Sequence, residues 1–183
     1  IHSSAAEQAA AIAASKKLGG TVQRQSSNSD QWEVDFHLSG REVTDEGLAH
    51  VAALKNVAAL DLRDTKISGA GLVHLKVLTS LRQLHLERTE VDDDGIAHLA
   101  GLLNLEYLNL YGTKVTDKSL SQLTGLKKLR RLYVWQTVVT DEGVAHLRRA
   151  GAAQTDREFE VDCHRRRQES PQVEQWREHT RVF

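Results

Sequence analysis

The sequence predicts an α/β solenoid with a parallel sheet along one side and short helices along the other. Five segments share one pattern and begin 24 residues apart, at 33, 57, 81, 105 and 129. Leu84 and Leu86 alternate as in a strand with one buried face, while Leu120, Leu123 and Leu126 recur at helical spacing. Each unit is therefore expected to be a strand, a turn and a short helix, and in-phase units predict a repeat array.

The turn that leads into each helix has its own pattern. Thr116 and Thr140 are each followed by Asp, which predicts a helix N-cap with an acid in the first turn. No unit can bury its own apolar side, so the units are expected to stack into a right-handed β-α superhelix around a leucine core. Because strands lie about 4.8 Å apart and helices are thicker, the sheet should form the concave face and the helices the convex face.

The shared frame, L-x-x-L-x-L-x-x-T-x-V-T-D-x-G-L-x-x-L-x-x-L, resembles that of the leucine-rich-repeat family. Its T-D-x-G-L part is similar to a bacterial, planctomycete-type subgroup with repeats of the same length, and to the cysteine-containing repeats of eukaryotic ubiquitin-ligase receptors. Those relatives usually have Cys or Asn where this chain has Thr65, Thr89, Thr113 and Thr137, whose hydroxyls can also satisfy loop backbone groups. The resemblance implies a protein-binding module without catalytic residues or cofactor.

The N-terminal segment departs from the repeat and predicts a cap over one apolar end of the stack. Residues 4–18 are alanine-rich and predict a helix that ends at Gly19–Gly20. Residues 21–25 and 32–38 flank a polar turn and predict a hairpin. The expected division is a cap over 1–32, followed by five repeats over 33–150.

The remaining residues, 151–183, predict a C-terminal cap. Residues 158–163 alternate as in a last strand, and Ser170–Pro171 is typical of a helix start. Val173, Trp176, Thr180 and Phe183 then share one helical face. That helix either folds over the last repeat or docks on another chain or domain.

Composition excludes several classes of protein. The single cysteine, Cys163, excludes an internal disulfide and a four-cysteine zinc site. No apolar run is long enough to span a membrane, and a net charge of −1 with interleaved acids argues against nucleic-acid binding. The chain starts at Ile1 and contains no methionine, so we expect it to be a piece of a longer or processed protein. The family resemblance favours the cell envelope or secretion over the cytoplasm.

The positions between the strand leucines should point out of the concave face. Read across copies, they form three expected rows: His37, Asp61, His85, Asn109 and Tyr133; Ser39, Arg63, Glu87, Tyr111 and Trp135; and Val34 or Asp35, Ala59, Gln83, Tyr107 and Arg131. Five of these residues are the expected partner-binding set, because aromatics with an arginine are typical of interface hot spots: Tyr107, Tyr111, Arg131, Tyr133 and Trp135. Alternatively, the aromatics pack on one another or against the C-terminal segment.

Charged and imidazole side chains in these rows suggest weaker possibilities. His37, Asp61 and His85 are neighbours in the expected row and are weak candidates for a zinc-type site, although a flat sheet spreads ligands in a line and no fourth ligand is evident. Arg63 and Glu87 are expected to form a surface ion pair. Another row, His50, His74, His98 and His146, is assigned to the outer helical layer.

The sequence therefore favours a non-enzymatic module that binds a protein or peptide on the concave face of its C-terminal repeats. The net charge of +3 over 125–183, against −4 over 1–124, predicts that an acidic partner is attracted to that half. The alternative is a structural or assembly domain of a larger envelope or secreted protein, which contacts partners through its ends and self-associates through 170–183. No nucleophile lies beside a plausible base, so a hydrolase has little support.

Overall fold

The computed structural model describes residues 5–37, 43–152 and 160–162 of the chain. Its seven strands form one sheet in chain order. They are β1 (Thr21–Arg24), β2 (Trp32–Asp35), β3 (Val57–Asp61), β4 (Gln83–His85), β5 (Tyr107–Asn109), β6 (Arg131–Tyr133) and β7 (Glu160–Asp162). Only the β1–β2 pair among these is antiparallel, and every later pair is parallel. The fold is thus the predicted α/β solenoid.

The 24-residue period sets the register of the central strands. Leu60, Leu84, Leu108 and Leu132 are direct neighbours across β3 to β6, and all four are fully buried. The sheet therefore presents a continuous aliphatic row to the core, as stacking requires when no repeat can bury its own apolar face.

Short helices return the chain from one strand to the next. The α-helices are α1 (Ala5–Lys17), α2 (Leu48–Ala52), α3 (Asp93–Ile96), α4 (Asp117–Gln122) and α5 (Asp141–Ala152). Four 3-10 segments accompany them, at Asp45–Gly47, Gly71–Val77, Ala97–Leu99 and Leu123–Gly125. The predicted N-caps are present, since Thr116 Oγ1 accepts from the backbone N–H of Lys118 and Thr140 Oγ1 from that of Gly143.

The aspartate of the T-D-x-G motif links the first, third and fourth repeats to the repeats that follow them. Asp93 accepts from the backbone N–H of Thr116 (2.8 Å) and of Ser119 (3.2 Å), and from both hydroxyls. Asp45 and Asp117 make the same paired contacts with Ser68 and Thr140 of the following repeats. These inter-repeat bonds, beyond a favourable interaction with the helix dipole, account for an acid at this position.

The glycine of the motif leaves room for that link. A Cβ added at Gly71 would collide with the Asp45 carboxylate, and one at Gly143 with the Asp117 carboxylate. At Gly95 the collision would be with the backbone of Gly69, which stands in the aspartate's place in the second repeat. Adjacent repeats therefore approach so closely at this edge that only Gly, or a serine that donates to the aspartate, fits.

A second ladder runs through the turns after the strands. The hydroxyls of Thr65, Thr89, Thr113 and Thr137 each donate to the carbonyl oxygen three residues earlier, at 2.6 to 2.7 Å. The first three threonines are buried. The prediction that these hydroxyls satisfy loop backbone groups is confirmed.

At the N-terminal end, α1 contacts α2 and β1. The helix ends as predicted, because Gly19 adopts a positive φ of 84° and the Gly20 N–H returns to the Ser15 carbonyl. At the other end β7 pairs with β6, within the predicted last strand. The predicted helix over 170–183 and Cys163 lie outside the described residues, and the division at 32 and 150 stays a prediction.

The first repeat corrects the expected register. Val34 and Phe36, both buried, take the core positions beside Leu60 and Leu62, two residues out of the 24-residue period. The ladder also shifts between Trp32 and Glu33. The Phe36 ring explains the offset, because it fills the space over Gly20, where even a Cβ would collide with it.

Candidate functional site

The observed register builds three rows on the concave face. Leaving out the core, they are Glu33, Ala59, Gln83, Tyr107, Arg131 and Glu160; Asp35, Asp61, His85, Asn109, Tyr133 and Asp162; and His37, Arg63, Glu87, Tyr111 and Trp135. The offset of β2 places Asp35, not His37, beside Asp61, and Glu33, not Val34 or Asp35, beside Ala59. Ser39, expected beside Arg63, lies outside the described residues.

The four aromatic members of the predicted partner-binding set form two ring stacks on this face, and Arg131 lies over one of them. Tyr107 lies 4.7 Å from the His85 ring and 5.4 Å from the Tyr133 ring, measured between centroids. Tyr111 and Trp135 form the second stack at 5.1 Å. All four predicted aromatics are half-buried, so they pack on one another and still expose ring surface. The packing of these rings on one another is observed, whereas their role in binding a partner stays a prediction.

Two arginines lie over these rings. The guanidinium carbon of Arg131 is 5.2 Å from the centre of the Tyr107 ring, and that of Arg88 is 5.7 Å from the centre of the Tyr111 ring. Such contacts hold a flexible side chain against an aromatic face. Burial raises the pKa of Tyr107 above that of a free phenol, which is already protonated at neutral pH, so this side chain remains a hydrogen-bond donor.

An open cavity of about 290 Å³ adjoins the second stack. Its lining combines aromatic rings with charged and amide groups: Arg63, Glu87, Arg88, Asn109, Tyr111, Tyr133, Trp135 and Asp162. Three of the five predicted residues belong to it, while Tyr107 and Arg131 lie outside. Sequence reasoning had not assigned Arg88, Asn109 or Asp162 to a site, because their proximity depends on the turn after each strand and on the position of β7.

Glu87 is the buried acid of this cavity. Its Oε1 accepts from Asn109 Nδ2 at 2.7 Å and lies 3.0 Å from His85 Nδ1. The expected Glu87–Arg63 surface pair is wrong, because Arg63 turns back to its own strand and binds both oxygens of Asp61 at 2.5 to 3.0 Å. The guanidinium of Arg63 is therefore bound by a carboxylate only two positions earlier in the chain. The hydrogen bond to Asp61 raises the pKa of Arg63.

The observed strand register also argues against the weak zinc-type candidate formed by His37, Asp61 and His85. His37 lies in the row of Arg63, Asp61 is held by that arginine, and His85 contacts Glu87. Within the described part of the chain, no group of three or more His, Cys, Asp or Glu side chains is placed to hold a metal ion. The other histidines in the described part of the chain lie in the helical layer, with His50 in α2, His146 in α5, and His74 and His98 in 3-10 segments.

Among residues 5–37, 43–152 and 160–162, no helix combines the length and the apolar character that crossing a bilayer demands.

Comparisons with known proteins find other proteins with a similar fold. A leucine-rich-repeat family model matches residues 77–100. The LRR ectodomain of the receptor kinase SOBIR1 from Arabidopsis thaliana is 15% identical, with a TM-score of 0.50 over 86% of this chain and 92% of that one. The tropomodulin C-terminal domain from Caenorhabditis elegans is 16% identical, with a TM-score of 0.51 over 79% and 92%.

A Listeria monocytogenes internalin, InlF, is 23% identical, with a TM-score of 0.49 over 64% of this chain and 32% of that chain. This chain thus corresponds to about a third of the internalin's length. A search of curated proteins finds no match. One strand per repeat, a leucine core in register and the matched repeat give the chain the fold of a leucine-rich-repeat solenoid.

Proposed function

We propose that the chain is a non-enzymatic recognition module that binds a protein or peptide on the concave face of its C-terminal repeats. The observation that carries this proposal is the grouping of Tyr107, Tyr111, Tyr133, Trp135 and Arg131 on one sheet surface, beside a cavity of about 290 Å³. Stacked rings lose little entropy on binding and offer both area and polar tips.

The rest of the fold supports the same proposal. The side-chain hydrogen bonds that recur along the stack lie at the turns and helix starts, whereas the concave positions differ from repeat to repeat. The LRR ectodomain with a similar fold belongs to a receptor kinase. A rigid, pre-formed sheet surface that carries variable side chains is suited to bind a partner without reorganisation.

The test uses a displayed random-peptide library, selected on the full chain. We expect peptides whose Kd rises at least about 30-fold in a Tyr111→Ala/Trp135→Ala variant, since hot-spot truncations cost about 2 kcal/mol or more. A matched control, Val77→Ala/Leu103→Ala, removes two exposed apolar side chains outside the concave rows and should leave Kd unchanged. Selected peptides that bind both variants equally would contradict the proposal.

We further propose the finer organisation that the sequence suggests: caps over 1–32 and 151–183, and membership of the T-D-x-G-L subgroup. The contacts of α1 with α2 support the first cap, and the aspartate links between repeats support the subgroup. The competing assembly function has its own signature, which is a concentration-dependent dimer in light scattering that is lost when 170–183 is deleted.

A further inference from the structure

Glu87 has an acceptor that the described protein does not use. The Glu87 side chain is only 9% exposed, and it lines the cavity beside Tyr111 and Trp135. Its Oε1 is bound by Asn109 and His85, whereas Oε2 is buried and receives no hydrogen bond from the described residues. An unsatisfied buried carboxylate oxygen costs free energy that a donor entering the cavity would recover.

The cavity's own cations are committed elsewhere. Arg63 binds both oxygens of Asp61, and Arg88 binds both oxygens of Asp64 at 2.5 and 2.6 Å. Neither arginine therefore supplies the missing donor to Glu87. Among the described residues, Glu87 forms no ion pair with a lysine or arginine, and its hydrogen-bonding contacts are those with Asn109 and His85.

The described part of the concave face carries an excess of acid. Its three rows contain six carboxylates and two arginines, namely Glu33, Asp35, Asp61, Glu87, Glu160 and Asp162 against Arg63 and Arg131. Among the described residues, the basic side chains of 125–183 contribute only Arg131 to these rows. Charge complementarity on this face favours a cationic ligand over the acidic partner expected from the sequence.

The aromatic rings that line the cavity also favour a cationic ligand. Tyr111 and Trp135 stack with their ring centroids 5.1 Å apart at the cavity, and Tyr133 completes the lining. The face of an aromatic ring attracts an ammonium or guanidinium group, most strongly where water is excluded. A volume of about 290 Å³ lies at the small end of ligand sites, which suits one inserted side chain.

We propose that the peptide partner inserts a lysine or arginine side chain into this cavity, with its cationic head directed to Glu87 and its stem against Tyr111 and Trp135. This inference rests on the proposed function and names the chemical class of ligand for the same surface. The carboxylate supplies the charge, and the rings exclude water and align the stem.

The first measurement leaves the protein untouched. Peptides selected on the full chain should be enriched in Lys or Arg at one position, and replacing that residue by norleucine should raise Kd about ten-fold or more, because hydrogen bonds between charged groups are strong. Peptides that depend on Tyr111 and Trp135 but show no basic preference would overturn this inference alone. Peptides that bind independently of those rings would overturn the proposed function as well.

The second measurement removes the charge from the protein. Glu87→Gln preserves an acceptor for Asn109 and should abolish the preference for the basic residue over norleucine. Glu90→Gln is the matched control, because Glu90 pairs with Lys114 outside the concave rows. A preference that survives in folded Glu87→Gln would overturn the inference, and the norleucine comparison stands even if that variant fails to fold.

A basic stretch of the same chain, Arg165–Arg167, follows closely after Asp162 and is the rival occupant of the cavity. Replacing the three arginines by glutamine should leave the Kd of the selected lysine or arginine peptide unchanged. A Kd at least ten-fold lower in that variant would overturn the proposal, because it would show that the chain's own arginines fill the cavity.

Discussion

In each repeat, the residues at the turn and helix start are similar from copy to copy, whereas the outward-facing residues of the strand differ. At the turn and helix start, Thr, Asp and Gly recur in most repeats, and the contacts that they make are similar wherever they occur. On the strand, the outward positions change in every copy, from Asp61 to His85 to Asn109. The difference shows that stability and recognition are assigned to separate side chains, so substitutions on the two sides should have separable effects.

The largest loss of stability is expected at Asp93. Asp93→Ala removes four hydrogen bonds to Thr116 and Ser119, and it leaves the fully buried Ser119 hydroxyl without an acceptor. We expect the free energy of unfolding to fall by about 3 kcal/mol in urea titrations. Asp94→Ala, at the exposed neighbour, is the control and should cost much less. Equal effects at the two sites would refute the structural role of the ladder.

A smaller loss is expected where the ladder is tightest. A Cβ at Gly95 would meet the backbone of Gly69, which cannot rotate away, so Gly95→Ala should destabilise the fold by about 2 kcal/mol. Gly101 has no atom within 4 Å of the same added Cβ. Thermal melting should therefore separate the two alanine variants clearly, and a Gly95→Ala protein as stable as Gly101→Ala would mean that the repeats are further apart.

Lowering the pH should reproduce, without a mutation, part of the stability loss expected for Asp93→Ala. Burial raises the pKa of this carboxyl, but hydrogen bonds from Ser119 and Thr116 outweigh burial and hold the pKa below its usual range. Its stabilising contribution is therefore complete above the unfolded pKa of about 3.9 and is lost as the pH falls through the folded pKa. The stability gap between wild type and Asp93→Asn should stay constant above about pH 5 and narrow below about pH 4.

The smallest effect on stability is expected on the concave face. Trp135→Ala removes a half-buried ring that contacts Tyr111, and the free energy of unfolding should change by less than about 1 kcal/mol. Leu132→Ala, three residues earlier and fully buried in the core, should cost about 3 kcal/mol in the same titration. If Trp135→Ala were as damaging as Leu132→Ala, recognition and stability would share the same residues after all.

Much of the fold was predictable from spacing alone. The strands, the threonine ladder and the N-caps at Thr116 and Thr140 each depend on residues a few positions apart, and the structure confirms them. The five predicted partner-binding residues also lie together as expected, because β5 and β6 keep the 24-residue period. Their role in binding stays a proposal.

Other features depend on contacts between adjacent repeats and could not be predicted from local spacing. An acid in the first helical turn indicated a dipole interaction, but Asp93 serves mainly as an acceptor for the next repeat. Glu87 was expected at the surface with Arg63, and both found partners within the rows instead. His37 lies outside the Asp61 row because Phe36 enters the core beside Leu62.

Periodicity by itself determined the architecture of this protein, since a strand, a turn and a helix repeated every 24 residues leave stacking as the way to bury the leucines. Only the tertiary structure decided which side chains share a row at the first strand, and which carboxylate is buried without a full set of donors. The reason is physical: local spacing repeats identically along the chain, whereas registry at an end and pairing across strands depend on the sizes and charges of particular neighbours.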